Sequence, residues 1–134
     1  MPFSPDQNAI LLIDDDVFVR ETLADLLRRH NYHPFAFEKP PDNLLEFIPT
    51  HHITLAIIDL MLDNHDGLEL VIRLRENFPN LPIIGMTGHR FNQQTDTLSL
   101  FMQAGATATI AKPFTPQEFL DLIDHTLDAF RSNS

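Results

Sequence analysis

Several polar residues with the chemistry of a reactive site each stand directly after a short apolar run of the sequence. They are Asp14 and Asp15, Asp59, Thr87 and Lys112. Three carboxylates that meet at one place repel one another, so such a cluster is costly unless a cation offsets it. Hard oxygen ligands favour Mg²⁺, with Mn²⁺ as the alternative, and water fills the remaining positions.

The lysine and the threonine add groups that suit a phosphoryl group. An ammonium and a divalent cation that face a small gap match phosphoryl oxygens, and the Thr87 hydroxyl adds a hydrogen-bond donor. A central carboxylate could attack phosphorus and become an acyl phosphate. These residue types therefore predict phosphoryl chemistry, provided that the fold brings them together.

Short apolar runs alternate with amphipathic stretches along the whole chain, and we interpret the runs as strands. The central runs are apolar on both faces, which is typical of buried parallel strands, and Pro34 favours an edge position for the second. The predicted strands are 9–13, 32–37, 55–58, 81–86 and 107–111.

The amphipathic stretches between and after the runs predict five helices. The last has the strongest start, with Thr115 as cap, Pro116 at its first position and Glu118 completing a capping box. Gly105 is predicted to end the fourth helix. The second helix is placed at 43–48, and Asp66 with Glu69 marks the start of the third.

Alternating strands and helices predict an α/β fold, a doubly wound five-stranded parallel sheet with helices on both faces. In such sheets a site lies outside the carboxyl ends of the strands, near the point where strand order reverses. The candidate residues should therefore converge at one edge. The length predicts a single domain over residues 1–134, with a core of about 9–130.

Composition excludes several classes of function. Lys plus Arg is 9 and Asp plus Glu is 19, and the resulting net charge of −10 argues against binding nucleic acid. The absence of cysteine excludes disulfides and thiolate metal sites. No apolar run approaches the about 20 residues that span a bilayer, and residues 1–8 lack a signal pattern. We therefore expect a cytoplasmic protein without membrane contact.

Four motifs, each at the end of a predicted strand, resemble those of the receiver (CheY-like) domain of two-component response regulators. They are LLIDDD (11–16), AIIDLML (56–62), GMTGH (85–89) and AGATATIAKPF (104–114), with a further match at Asp66–Gly67. The resemblance extends from about residue 9 to residue 130. It implies a flavodoxin-like (βα)5 fold and a phosphoacceptor signalling function.

The resemblance also implies a role for each residue. Asp59 would accept a phosphoryl group from a phosphohistidine, Lys112 would pair with Asp59 or its phosphoryl oxygen, and Thr87 would hydrogen-bond to that oxygen. The Lys112–Pro113 peptide would be cis. The implied metal ligands are Asp14, Asp15, Asp59 and the backbone carbonyl of Met61.

Two positions depart from the family pattern or leave it open. Thr109 stands where the family usually carries a Tyr or Phe that rotates with the threonine, so coupling through Thr87 and Thr109 must be altered, weaker or routed through the loop of the fourth helix. Asp16 adds a third consecutive carboxylate, which leaves open which two hold the metal.

The expected partners follow from the resemblance. They are a histidine kinase or histidine phosphotransfer protein, a downstream protein of unknown identity, and a second copy in a phosphorylation-dependent homodimer. The output face would comprise the fourth helix, the fifth strand and the fifth helix. The chain is expected to be a stand-alone receiver or one excised from a longer protein, and the start at Met1 favours the first.

Two other functions remain open at this point. In a phosphohydrolase resembling the haloacid dehalogenase superfamily the nucleophile would be Asp14, although the later acidic pair of that superfamily is missing. A pseudo-receiver would bind partners without phosphorylation. The aspartates of 14–16 could also be turn and cap residues, and Lys112 an ordinary ion pair. His51 and His52 are predicted to lie in a solvated loop rather than a metal site.

Overall fold

The structure is a computed structural model that describes residues 8–60, 67–88 and 95–132. Within these ranges five strands alternate with five helices. The strands are β1 (Ala9–Ile13), β2 (His33–Phe37), β3 (Ile53–Asp59), β4 (Ile83–Thr87) and β5 (Ala108–Ala111). The helices are α1 (Val17–Arg29), α2 (Leu44–Thr50), α3 (Gly67–Asn77), α4 (Thr95–Ala104) and α5 (Pro116–Ser132).

The five strands form one parallel sheet in the order β2-β1-β3-β4-β5. The chain moves from β1 outward to β2, then returns across β1 and continues in the opposite direction through β3, β4 and β5. The order therefore reverses between β1 and β3, and it leaves β2 at an edge, as Pro34 indicates. The predicted doubly wound α/β fold is confirmed.

Alternate residues of β1 face the two sides of the sheet, where they join separate apolar cores. Leu11 and Ile13 belong to the core shared with α2, α3 and Phe101 of α4. Ile10 and Leu12 belong to the core shared with α1 and α5. Because both faces are covered, the central strands β1, β3 and β4 are apolar apart from Thr54 near the start of β3 and the polar residues at their carboxyl ends.

Several element ends follow from local sequence signals. The capping box of α5 is formed: the Glu118 N–H donates to Thr115 Oγ1 at 3.0 Å, and the Thr115 N–H donates to Glu118 Oε1 at 2.8 Å. Gly105 follows α4 with φ +124, a conformation that glycine adopts without strain. The second helix covers Leu44–Thr50, later than the predicted 43–48.

His51 lies in the predicted turn between α2 and β3, but its side chain is less solvated than expected. Its half-buried ring stacks on Phe47, with centroids 4.0 Å apart, and meets the edge of Phe35 at 4.9 Å. Phe47 and His51 are four residues apart, the spacing that places two side chains on one face of a helix. His52 is exposed, with φ 54, as expected for a turn.

Candidate functional site

The carboxyl ends of the strands bring four of the predicted residues to one edge of the sheet. Asp14 directly follows β1, Asp59 ends β3, Thr87 ends β4 and Lys112 directly follows β5. Asp14 is 0% exposed and Asp59 4%, so both carboxyl groups are out of water. Buried charges are costly unless they are paired, which makes their partners informative.

Lys112 is the partner of both buried carboxylates. Its Nζ donates to Asp14 Oδ2 at 2.8 Å and to Asp59 Oδ2 at 3.2 Å. The lysine side chain is 25% exposed, so it keeps partial contact with solvent. The contact with Asp59 is the pairing that the resemblance implied, and the shorter contact with Asp14 is additional to it. The lysine therefore joins the carboxyl ends of β1 and β3, the neighbouring strands between which the strand order reverses.

The turn after β1 fixes Asp14 through further bonds. Its Oδ1 accepts the Asp16 N–H at 2.9 Å, and its backbone carbonyl accepts Arg20 Nη1 at 2.8 Å. The sequence candidates did not include Arg20. Arg20 lies in the first turn of α1, and no sequence motif indicates that its side chain turns back to the Asp14 carbonyl.

Asp16 has a different role from its two neighbours. Its exposed side chain caps α1, because Oδ1 accepts the N–H groups of Phe18 at 2.9 Å and Val19 at 3.1 Å. The cap interpretation thus holds for Asp16, which points its carboxylate at the helix.

Asp14, Asp15 and Asp59 form the acidic cluster of the site. Each offers one carboxylate oxygen, and these oxygens lie within 4.8 Å of one another. This all-oxygen donor set, with Asp15 half-buried, suits a hard divalent cation that keeps several waters.

Thr87 connects the site to the last strand. The residue is 1% exposed, its hydroxyl lies 3.5 Å from the carbonyl oxygen of Ile110, and its own carbonyl accepts the Lys112 N–H at 2.8 Å. Thr109 is half-buried on β5, and the Lys112–Pro113 peptide is cis, as the resemblance implied. The threonine hydroxyl thus faces the backbone of β5.

The pKa of Lys112 reflects two opposing effects. Burial lowers it, but hydrogen bonds and charges from Asp14 and Asp59 outweigh burial and raise the pKa above the ordinary lysine value of 10.5. A folded-state pKa above the unfolded value contributes stability that is fully present below pH 10.5 and is lost as the pH rises through the folded-state pKa.

This shift predicts a pH dependence of unfolding. The free energy of unfolding of the wild type should fall above pH 10.5. The difference in this free energy between the wild type and Lys112→Met should become smaller over the same range. Urea unfolding between pH 8 and pH 12 measures both proteins. Lys39→Met removes an exposed lysine and should keep a constant difference from the wild type. The prediction would be contradicted if the difference in the free energy of unfolding between the wild type and Lys112→Met also stayed constant over this pH range.

Some sequence predictions fall outside the described residues. They concern the Met61 carbonyl, the helix start at Asp66, and the end of the GMTGH motif at His89.

Comparison with known proteins decides the family. The family model for the response regulator receiver domain matches residues 10–124. The chain belongs to this family. Phosphoryl acceptance at an aspartate is the family's function, and receiver domains typically bind Mg²⁺ at an acidic cluster such as the one described above.

Individual relatives support the assignment of this receiver domain. The heme response regulator HssR of Staphylococcus saprophyticus is 29% identical over 126 residues, covering 92% of this chain and 53% of that protein. The regulatory protein VirG of Rhizobium rhizogenes is 32% identical over 111 residues, covering 83% and 44%. The receiver domain thus spans about half, or less, of the length of these curated relatives.

Solved structures agree with the fold. A CheY-like receiver domain protein from Methanospirillum hungatei superposes with a TM-score of 0.84 at 25% identity, covering 95% of this chain and 98% of that one. Among the described parts of the receiver domain, no helix combines the length and apolarity needed to cross a bilayer.

Proposed function

We propose that Asp59 of this receiver domain takes a phosphoryl group from a phosphohistidine in a Mg²⁺-dependent reaction. The observation that carries the proposal is the buried Asp59 carboxylate, which ends β3 beside two further acids and 3.2 Å from the Lys112 ammonium. The Lys112 ammonium and a cation held by the acidic cluster would both lie next to Asp59. Positive charges in these positions would stabilise the phosphoryl oxygens that Asp59 acquires in the reaction.

The transfer itself is a displacement at phosphorus. A carboxylate oxygen of Asp59 attacks the phosphorus, the phosphorus–nitrogen bond to the donor imidazole breaks, and the imidazole leaves with the electron pair and takes a proton from solvent. The product is an acyl phosphate on Asp59. In this product the negative charge lies on the phosphoryl oxygens and no longer on the Asp59 carboxylate. The ammonium of Lys112, which stays beside Asp59, would compensate that charge.

Asp14, Asp15 and Asp59 would hold Mg²⁺, with Mn²⁺ as the alternative, and the Met61 carbonyl is proposed as a further ligand. When bound, the metal supplies positive charge to the phosphoryl oxygens. The three carboxylate oxygens that lie within 4.8 Å of one another support the assignment of these aspartates as metal ligands. Asp16 is left out of the set because its carboxylate caps α1.

Thr87 is proposed to report the modification. Its hydroxyl would leave the distant Ile110 carbonyl, 3.5 Å away, for a phosphoryl oxygen, which would alter the backbone environment of β5. The small Thr109 side chain supplies no aromatic ring for a coupled rotation, so the signal would pass through β5 and α4. The output face, comprising α4, β5 and α5, would then change its partner binding.

The proposed donor is a histidine kinase or a histidine phosphotransfer protein in the cytoplasm. The target is a downstream protein, with a phosphorylation-dependent homodimer as a further outcome. We propose no binding of nucleic acid through this domain, because its net charge of −10 opposes it.

Intact-mass spectrometry after incubation with acetyl phosphate and Mg²⁺ tests the proposal. The wild type should gain one phosphoryl group, and the gain should be absent in Asp59→Asn and after EDTA. Asp42→Asn, which changes an exposed carboxylate before α2, is the matched control and should be phosphorylated like the wild type.

Two other results would overturn the proposal. Steady phosphate release without an adduct, abolished only by Asp14→Asn, would indicate the phosphohydrolase. Neither adduct nor turnover in a folded wild type would indicate a pseudo-receiver that binds partners without phosphorylation.

A further inference from the structure

The peptide that joins Asp59 to Leu60 is in direct contact with the first residue of α3. Gly67 is buried, and a Cβ atom built on it would lie 2.5 Å from Leu60 Cα and 3.0 Å from the Asp59 carbonyl oxygen. Real Cβ atoms essentially never approach other atoms to 2.5 Å. The helix can therefore lie against this peptide only because position 67 has no side chain.

The same peptide is also fixed from the opposite side. The Leu60 N–H donates to the Met86 carbonyl at 2.9 Å, which extends the pairing of β3 with β4 one residue beyond Asp59. The backbone that directly follows Asp59 is thus in contact both with β4 and with the start of α3. Within the described part of the chain, the three atoms nearest to an atom added at position 67 are all backbone atoms, which cannot rotate away as a side-chain tip can.

We propose that Gly67 is a positioning residue for Asp59: its lack of a side chain sets where the Asp59 carboxylate lies relative to Asp14 and Lys112. The inference deepens the proposed function and rests on it for the role of Asp59. A Cβ at position 67 would displace the Asp59–Leu60 backbone, and with it a carboxylate whose contact with the lysine is 3.2 Å.

Gly85 provides a matched control, because it also touches Leu60. A Cβ on Gly85 would lie 2.7 Å from Leu60 Cδ1, the far end of a flexible side chain, with Cγ and Cδ2 as the next atoms. The leucine side chain is buried, so the added methyl group must push it aside within the core, but the atoms that it meets belong to the side chain and not to the backbone. Gly67→Ala and Gly85→Ala thus add the same methyl group near the same residue, once against the backbone and once against a side-chain tip.

The test is the rate of phosphoryl uptake from acetyl phosphate with Mg²⁺, corrected for the folded fraction. Gly67→Ala should lower the rate about tenfold or more, because small misplacements of a reacting group cost that much. Gly85→Ala should stay within about twofold of the wild type. Equal rates for two folded variants would overturn the inference.

A second readout needs no phosphodonor. The ¹³C resonance of the Asp59 carboxyl carbon should move in Gly67→Ala and stay in place in Gly85→Ala. If the wild type takes up no phosphoryl group, the proposed function fails, while the resonances still test the positioning of Asp59. If Gly67→Ala stays unfolded even in trimethylamine N-oxide, position 67 is a folding requirement and the inference is overturned.

Discussion

Replacing Lys112 with methionine is expected to lower the free energy of unfolding by about 3 kcal/mol, since removing one partner leaves an uncompensated buried charge. Asp14 is fully buried, and its Oδ2 would lose the ammonium 2.8 Å away while Asp59 stays close by. We choose the lower end of the usual range because the lysine side chain keeps 25% exposure. Urea unfolding at pH 7.5 without divalent cations measures the loss.

A second substitution identifies the cause of this loss. Lys112→Met combined with Asp14→Asn should recover most of the stability, because the amide carries no charge to be compensated. Lys39→Met, at an exposed lysine, should change the free energy of unfolding by less than about 0.5 kcal/mol. A Lys112→Met protein as stable as the wild type would show that the two buried contacts contribute nothing.

Mg²⁺ is expected to stabilise the wild type by about 2.7 kcal/mol at a concentration one hundred times its dissociation constant. The ion should bind the folded protein, where three carboxylate oxygens lie within 4.8 Å, in preference to the unfolded chain, where Asp59 is far from the adjacent Asp14 and Asp15. Asp15→Asn removes one of these ligands and should abolish most of the stabilisation. Thermal unfolding over a Mg²⁺ titration measures both proteins.

The neighbouring aspartate supplies the control for this titration. Asp16→Asn also removes one negative charge from the turn, but asparagine keeps the acceptor that caps α1. Its Mg²⁺-dependent stabilisation should resemble that of the wild type. If Asp16→Asn and Asp15→Asn lost the same stabilisation, the response would come from the general charge of the turn, and the proposed ligand set would be wrong.

The placement of the site at one sheet edge could be predicted because the buried central strands of a parallel sheet leave charged residues to their ends. Asp59 and Thr87 each follow an uninterrupted apolar run, so their position was encoded locally. The edge location of β2 followed in the same way from Pro34, which lacks the N–H that an interior strand needs.

Contacts set by tertiary packing could not be predicted in this way. In a run of three aspartates the residue type is identical at each position, and only the start of α1 decides that Asp16 caps the helix while Asp14 contacts Lys112. The contact between Asp14 and Lys112 depends on how β1 and β5 lie in the folded sheet. His51 is different, because its four-residue spacing from Phe47 was available in the sequence.

The bridge from Lys112 to Asp14 joins residues 98 positions apart, at the ends of the first and last strands. Chains are synthesised from the N-terminus, and early segments begin to organise before later ones emerge. A nascent chain that has emerged only through β4 contains Asp14, Asp15 and Asp59 but not the lysine that faces two of them. During biosynthesis, the carboxylates of Asp14 and Asp59 therefore obtain the compensating ammonium of Lys112 only when β5 joins the sheet.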